Sequence, residues 1–281
     1  MRALFGQYFR WNTRRTPIRR PKCVNLIHSA FTILLLICYQ PLVSVRNKKN
    51  LQHRRVISYS LYGDDARYIE GALANALLYK HIYAGWEMRV YHDSTVPIDV
   101  LIRLREQDVE LVDMSLSKLN KMTWRFLVAS DSNLERACVR DIDSRLSLRE
   151  KAAVEEWLAT DKAFHVMRDH PSHSKFALSG GMWCCTSRAF SQMEDLLNRI
   201  SVSDEYLRDM DFLNTAVWPV AKTSVLQHDA FSCKKFGGKP FPTARRDFEH
   251  VGSVFINGTM RVEDVVILAK AIEAGEENLC T

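Results

Sequence analysis

The sequence predicts an α/β fold with a mixed, mostly parallel sheet. The main observation is that short apolar segments of strand length alternate with longer segments whose apolar residues recur at helical spacing, from Val56 onward. A second observation is that no internal repeat and no further linker-like stretch interrupts this alternation. The chain has 281 residues, enough for one large domain. We therefore expect a single α/β domain over residues 56–281.

The individual elements follow from the local pattern. Residues 56–60 are predicted to form a buried first strand, and residues 65–83 a helix that ends before Gly85. Further strands are predicted at 88–91, 109–112, 137–140, 164–167 and 182–185. Further helices are predicted at 98–106, 147–160, 187–200 and 207–218.

The charge is distributed unevenly along the chain. Residues 1–55 hold twelve of the 39 Arg and Lys residues and none of the 33 Asp and Glu residues. The rest of the chain therefore carries 27 basic against 33 acidic side chains. No Lys/Arg-rich segment interleaved with aromatic residues occurs in that part of the sequence. This distribution argues against a nucleic-acid partner.

Residues 24–45 contain no Asp, Glu, Lys or Arg and are long enough for one transmembrane helix. A cleaved signal peptide is the alternative, but the basic leader is long and Val43-Ser44-Val45 is not a small-x-small site. We therefore expect a basic tail at 1–23, a signal anchor at 24–45 and a short stem at 46–55. Seven basic residues precede the run and five follow it, which favours a type II single-pass protein with its body in the Golgi or ER lumen.

Two sequence features bear on that compartment. Five of the seven cysteines follow the predicted anchor without a CxxC pair, so one or two lumenal disulfides are expected and their pairing is open. Asn257-Gly258-Thr259 is the one N-x-[ST] triplet, which predicts a glycoprotein if its loop is exposed.

The main candidate site is Asp141-Ile142-Asp143, directly after a predicted strand. Side chains two residues apart on an extended chain point the same way. The two carboxylates are thus expected at the carboxyl edge of the sheet, where open α/β sheets bind ligands. Their oxygens suit Mn²⁺ or Mg²⁺. The alternative is a solvated loop in which the carboxylates pair with Arg140 and Arg145.

Further motifs occur in a fixed order around this pair. Residues 123–127 (TWRFL) precede it, residues 179–183 (SGGMW) and 209–214 (DMDFLN) follow it, and His228 precedes residues 237–241 (GGKPF). In this order they resemble the GT-A glycosyltransferases, and most of all the group containing glycogenin and bacterial lipopolysaccharide galactosyltransferases. Uncharacterised relatives of that group share the string RDxDSR…REKAAVxEWL, which this chain matches at residues 140–145 and 149–158. The resemblance extends from Val56 to about Phe255.

The resemblance implies a transferase that moves a sugar from a nucleoside diphosphate to a glycan, protein or lipid acceptor. It implies that Asp141, Asp143 and His228 hold Mn²⁺ or Mg²⁺, which would stabilise the leaving diphosphate. It also implies that Arg125 contacts a phosphate or the donor sugar.

In the resembled family the DMDFLN-like motif binds the sugar. Asp209 and Asp211 would bind donor-sugar hydroxyls or supply a base, and their spacing on a helix should direct only one of them to the site. Met210 replaces a family Gln, which leaves the stereochemical outcome open. The further nucleotide-sugar-binding candidates are Tyr59, Tyr62, Asp93, Arg145, Gly180 and Gly181.

The sequence also allows other interpretations of these motifs. The polar segment 168–173 (RDHPSH) could contact the acceptor or form a metal site of its own. The string from Asp141 superficially resembles the haloacid-dehalogenase phosphohydrolase motif, although Ser144-Arg145 departs from it. A catalytically inactive, membrane-anchored glycan-binding protein is the third interpretation.

Overall fold

The computed structural model describes residues 54–187, 189–199 and 208–277. The predicted basic tail, the anchor and most of the stem therefore lie outside the described residues. Within the described part, no helix combines the length and the apolar character needed to cross a membrane.

The predicted α/β class is confirmed, because one mixed, mostly parallel sheet organises the domain. Its strands are β1 (Arg54–Leu61), β2 (Glu87–His92), β3 (Glu110–Asp113), β4 (Leu134–Val139), β5 (Phe164–Arg168), β6 (Trp183–Thr186) and β7 (Val225–Asp229). They lie in the order β3-β2-β1-β4-β6-β5-β7. Strand β6 is antiparallel to both of its neighbours, and every other neighbouring pair is parallel.

The helices and shorter elements connect these strands. The α-helices are α1 (Ala66–Ile82), α2 (Ile98–Glu106), α3 (Leu148–Leu158), α4 (Met193–Arg199), α5 (Arg208–Phe212), α6 (Trp218–Ala221), α7 (Cys233–Phe236) and α8 (Val262–Glu273). A π-helical turn, Leu213–Val217, joins α5 to α6, and 3₁₀-helices span Lys121–Ser130 and Pro171–Lys175. A hairpin of β8 (Phe255–Ile256) and β9 (Thr259–Met260) precedes α8.

Alternation along the strands divides the core between the two faces of the sheet. Ile57 and Cys138 belong to one apolar cluster, which also holds side chains of α1, α2 and α3. Val56 and Val139 belong to a second cluster, which holds side chains of the Lys121–Ser130 helix, α4 and the π-helical turn. Helices on both faces leave the carboxyl edge of the sheet open for a site.

Local sequence explains where the helices begin and end. The side chain of Asp65 accepts a hydrogen bond from the backbone of Arg67 at the start of α1. Ser147 accepts one from the backbone of Glu150 at the start of α3, an S-x-x-E arrangement. Gly85 lies at φ +82° in the turn after α1, a conformation that favours glycine.

The structure differs from the predicted elements at several places. Strand β1 starts at Arg54, not at residue 56, because Arg54 pairs with Glu87 and Arg55 with Glu135 on the neighbouring strands. The helix predicted at 187–200 is shorter, and the one predicted at 207–218 contains the π-helical turn. Strand β7, the β8–β9 hairpin and α8 were not predicted.

One disulfide joins the two central strands. Cys138 in β4 lies directly opposite Cys184 in β6, and the two form a buried disulfide. Cys185 beside it is a buried free thiol. The expectation of a disulfide in the body is thus met.

Candidate active site

A cavity of about 490 Å³ opens where the strand order reverses. From β1 the chain proceeds to β2 and β3 on one side, and β4 then returns to the other side of β1. Leu61 and Tyr62 at the end of β1 line the cavity, as do Asp141 and Asp143 just after β4. Such a crevice outside the carboxyl ends of the strands is where open α/β sheets bind ligands.

The residue before the acidic pair fixes its direction. Arg140 is 1% exposed, and its Nε donates to Glu150 Oε1 at 2.6 Å while its Nη1 donates to the backbone oxygen of Trp183 at 3.0 Å. Arg140 is thus held in the interior between α3 and β6, and Asp141 lines the cavity. The alternative in which Arg140 pairs with the acidic loop is therefore wrong.

A buried asparagine holds the loop from the other side. Asn75 Nδ2 donates to the backbone oxygen of Ser144 at 2.8 Å, and Asn75 Oδ1 accepts from the backbone nitrogen of Leu146 at 3.1 Å. The backbone oxygen of Asp143 accepts from the nitrogen of Phe255 at 3.0 Å. The loop is therefore braced by α1 and by the β8–β9 hairpin, and Asn75 is a positioning residue that sequence reasoning missed.

The two carboxylates face arginines. Arg125 Nη2 lies 3.0 Å from Asp141 Oδ1, and Arg67 Nε lies 3.7 Å from Asp143 Oδ2. Burial raises the pKa of Asp143, and the neighbouring charge of Asp141 raises it further against the opposing effect of Arg67. The pKa of Asp143 is thus raised on balance, mainly by burial and secondly by Asp141, despite the opposing charges of Arg67 and Arg125.

These carboxylates fit a hard divalent cation. They supply oxygen ligands, and a bound cation would stabilise the charged carboxylates against both the burial and the mutual repulsion that raise the pKa of Asp143. Among the described residues, no three His, Cys, Asp or Glu side chains form a group able to hold a metal together. Asp141 and Asp143 therefore form a carboxylate pair in the cavity lining that no third His, Cys, Asp or Glu of the described residues joins as a metal-binding group.

Arg125 bridges two acidic groups. Its Nη2 lies 3.0 Å from Asp209 Oδ2 as well as 3.0 Å from Asp141. The 3₁₀-helix that carries it is fastened to β1, since Ser58 Oγ donates to the backbone oxygen of Arg125 and Ser60 Oγ accepts from its nitrogen. Arg125 Nε has no hydrogen-bond partner within residues 54–187, 189–199 and 208–277. It is a buried donor beside the cavity.

Two glycines allow this close packing. A Cβ on Gly181 would lie 2.3 Å from Asp141 Oδ2, and one on Gly180 would lie 2.6 Å from Arg125 Nη2. Gly180 lines the cavity, and Gly181 supports Asp141. Both glycines permit close packing of the charged groups, but only Gly180 lies in the lining, so the prediction that Gly181 binds the nucleotide sugar gains no support.

The two aspartates of the DMDFLN segment point in different directions, as their spacing on a helix predicts, and only Asp209 lines the cavity. Asp209 is 7% exposed, lines the cavity and pairs with Arg125. Burial raises the pKa of Asp209. Asp211 is exposed and does not line the cavity. Asp209 therefore remains a candidate for contact with a ligand, and the structure gives no support to Asp211.

Of the tyrosine and aspartate residues predicted to bind the nucleotide sugar at the ends of the first two strands, Tyr62 lies in the cavity lining and Tyr59 and Asp93 do not. Tyr62 lines the cavity, and its ring lies edge-on to Trp124. Tyr59 is fully buried in the core, and Asp93 is held by Thr95 and Lys121 away from the cavity lining.

Arg145 lies outside the cavity lining too. It pairs with Glu70 at 3.0 Å, and its guanidinium lies over the ring of Phe255. The prediction that Tyr59, Asp93 and Arg145 bind the nucleotide sugar therefore gains no support from the cavity, because each is engaged in packing or pairing outside its lining.

His228 does not join the acidic pair. It is fully buried in β7, where its Nδ1 lies 2.8 Å from His165 Nε2 and its Nε2 lies 2.6 Å from Glu156 Oε2. It does not line the cavity. The prediction of a third metal ligand at His228 is corrected, because both ring nitrogens are used in contacts remote from the cavity lining.

The RDHPSH segment is mainly structural. Arg168 pairs with Asp229, and Asp169 pairs with Arg149 and Arg245. Among the described residues this segment forms no metal site. Its His173 does line the cavity, as its acceptor-contact interpretation requires.

Several cavity residues were missed by sequence reasoning. They are Arg67, His250, Arg261 and Asp264. Arg67 had a usable signal, because it follows β1 in the segment expected at the same sheet edge as Asp141. The other three come from the region after β7, where no element was predicted.

No protein-family model matches the chain, and no curated protein matches it. The solved structures similar to it include GT-A-type nucleotide-sugar glycosyltransferases. A mannosyltransferase from Pyrobaculum calidifontis, solved with GDP-Man and Mn²⁺, is 15% identical over 71% of this chain and 66% of its own, with a TM-score of 0.42. The glycosyltransferase GlyE of Streptococcus pneumoniae is 13% identical over 63% of this chain and 45% of its own, with a TM-score of 0.43. A glucosyl-3-phosphoglycerate synthase of Mycobacterium tuberculosis is 13% identical over 71% of this chain and 77% of its own, with a TM-score of 0.41.

Proposed function

We propose that the protein is a metal-dependent glycosyltransferase that uses a nucleoside-diphosphate sugar. The observation that carries the proposal is the pair Asp141 and Asp143 at the strand-order reversal, with Arg125 and Arg67 beside it. Paired carboxylates together with guanidinium groups suit a cation-bound diphosphate, because the cation satisfies the acids and the arginines face the phosphate charge.

Asp141 and Asp143 would hold Mn²⁺ or Mg²⁺, whose charge would stabilise the diphosphate as it leaves. Arg125, whose side chain lines the cavity, would donate to a donor oxygen. Arg67 lies 3.7 Å from Asp143, also donates to the hydroxyl of Tyr68, and would be a second guanidinium in the cavity lining that faces the donor. Tyr62 would contact the nucleoside at the end of β1.

Asp209 would act mainly through Arg125. Its carboxylate lies 3.0 Å from Nη2 of that arginine and keeps the guanidinium beside the cavity. Its position in the lining also lets its other oxygen accept from a sugar hydroxyl. Met210 offers a thioether in the same lining, which cannot serve as a base.

The acceptor is proposed to be a glycan, protein or lipid. His173, which lines the cavity, is a candidate contact for it. The apolar run at 24–45 supports a single-pass type II protein whose body faces the ER or Golgi lumen.

A donor-cleavage assay tests this proposal. UDP- and GDP-sugars are incubated with the protein and Mn²⁺, and released nucleotide and transferred sugar are measured. We expect cleavage of at least one donor that requires the cation and falls at least about 100-fold in Asp143→Ala, the size of effect from removing one preorganised electrostatic group. Asp161→Asn, at an exposed site off the cavity, is the matched control.

Other outcomes would favour the rival functions. Hydrolysis of an aryl phosphate without cleavage of any nucleotide sugar would replace the proposal with a phosphohydrolase. Glycan binding without cleavage of any donor would indicate an inactive binding protein.

A further inference from the structure

The hairpin between β8 and β9 presents one side-chain amide to solvent. Asn257 and Gly258 form its two-residue turn at φ +50° and +76°, the left-handed values that such tight hairpin turns require. Residues 256–259 are all exposed. The side chain of Asn257 makes no hydrogen bond within the described part of the chain. Its amide nitrogen is therefore accessible and uncommitted.

The same turn supplies the hydroxyl that N-glycosylation requires two residues later. Thr259 Oγ1 donates to the backbone oxygen of Ile256 at 3.0 Å, which keeps the hydroxyl within the turn that carries Asn257. Asn257-Gly258-Thr259 is the only N-x-[ST] triplet of the full sequence. The one N-x-[ST] triplet of the full sequence therefore lies in an exposed turn.

A second, independent feature points to the compartment where such glycans are attached. The disulfide between Cys138 and Cys184 is fully buried in the central sheet. Disulfides form and persist in oxidising compartments such as the ER lumen and are rare in the cytosol. The apolar run at 24–45, which precedes the domain, is long enough to target and anchor it there.

We propose that Asn257 is an N-glycan acceptor. A lumenal oligosaccharyl transferase would take the glycan from a polyprenyl-diphosphate oligosaccharide. A bond forms between Asn257 Nδ2 and C1 of the first sugar, and the bond between C1 and the diphosphate oxygen breaks. The polyprenyl diphosphate leaves with the electron pair, and the proton lost from Nδ2 passes to a base of the transferase. The modification is independent of the function proposed above.

The glycan would be attached outside the lining of the candidate active site. Val254 lines the cavity and pairs with Ser144, while the turn with Asn257 lies at the opposite end of the hairpin. Asn257 is exposed and does not line the cavity, so a sugar on its Nδ2 would start from the solvent-facing side of the turn. We therefore expect the glycan to leave donor binding unchanged.

The test is translation of the full chain in the presence of sealed microsomes. The wild type and Thr259→Ser should migrate more slowly, and an N-glycan-specific endoglycosidase should remove the shift. Asn257→Gln and Thr259→Ala should lack the shift. Thr259→Ser keeps both the sequon and the turn hydroxyl, so it controls for the effect of substituting position 259 itself.

Protease protection of the same microsomes completes the test. A protected body that carries no endoglycosidase-sensitive glycan would overturn the proposal, as would a shift that persists in Asn257→Gln. Digestion of the body without detergent would overturn it as well, by placing Asn257 outside the lumen. None of these readouts depends on transferase activity.

Discussion

At the scale of single residues, the charged form of the Asp143 carboxylate is disfavoured in the folded protein. Its folded-state pKa is raised above the ordinary value by burial first and by Asp141 second. The folded state therefore binds more protons than the unfolded state between those two values. Stability accordingly falls as the pH rises through that window, and the full penalty is present above it.

Replacing this charge should stabilise the metal-free protein. We expect Asp143→Asn to raise Tm at pH 7 in EDTA, because the amide removes a buried charge and its repulsion with Asp141. The gain should shrink as the pH approaches the ordinary Asp pKa of about 4. Thermal unfolding across this pH range measures it, with Asp161→Asn as the exposed control. A lower Tm for Asp143→Asn at pH 7 would show that Arg67 already compensates the charge.

Gly181 is the second informative residue. A Cβ at this position would lie 2.3 Å from Asp141 Oδ2 and 2.5 Å from the backbone nitrogen of Asp141, so the acidic loop must shift. We expect Gly181→Ala to lower donor cleavage by about 100-fold, the effect of a displacement near 1 Å in a site. The stability cost should remain about 1–3 kcal/mol. Near-wild-type activity would mean that Asp141 need not be held in this position.

At the scale of elements, the sequence predicted the parts that are periodic and local. Strands β1 to β6 and helices α1 to α3 follow from apolar spacing. The carboxylates of Asp141 and Asp143 could be placed at the sheet edge because these residues directly follow a strand. The direction of β6 could not be predicted, because its short apolar run reads the same in parallel and antiparallel pairing.

The errors in predicting the site residues have a common physical cause. Tyr59 and His228 lie on strands whose side chains point into the interior, and only the register of the sheet shows which face a strand residue occupies. His250 and Arg261 reach the cavity from loops after β7, which have no periodic signal. Such contacts join residues more than a hundred positions apart, and one sequence does not encode them locally.

The buried ion pair between Arg140, directly after β4, and Glu150 in α3 gives a prediction at the scale of elements. Arg140 and Glu150 are 1% and 2% exposed, and Tyr83 also donates to Glu150 at 2.7 Å. Removing one partner of a buried pair leaves the other charge uncompensated and costs about 3–5 kcal/mol. We expect Glu150→Ala to lower the free energy of unfolding by that amount in a urea titration.

A surface pair on the same helix is the control. Glu155 pairs with Lys151 on α3, but its side chain is 56% exposed. Glu155→Ala should therefore change the free energy of unfolding by less than about 1 kcal/mol. Equal effects of the two substitutions would contradict a special role of the Arg140–Glu150 pair in anchoring β4.

At the scale of the whole molecule, the body should be separable from the N-terminal segment. The sheet begins at Arg54, so deletion of residues 1–50 keeps every described element. Beyond residue 55 the chain carries 27 basic and 33 acidic side chains, and this net charge favours solubility. We expect the truncated protein to be monodisperse and folded when made in an oxidising host, as measured by size-exclusion chromatography and circular dichroism. Aggregation there would place the domain boundary upstream of residue 51.

The central claim is that the cavity binds a nucleoside diphosphate through a cation held by Asp141 and Asp143. Isothermal titration of UDP and GDP into the wild-type protein, with Mn²⁺ and then with EDTA, tests it most directly. We predict binding of at least one nucleotide that requires Mn²⁺ and is lost in the double variant Asp141→Asn, Asp143→Asn, while Asp161→Asn binds normally. Binding that is unchanged by EDTA or by the double variant, or absent for both nucleotides, would contradict the claim.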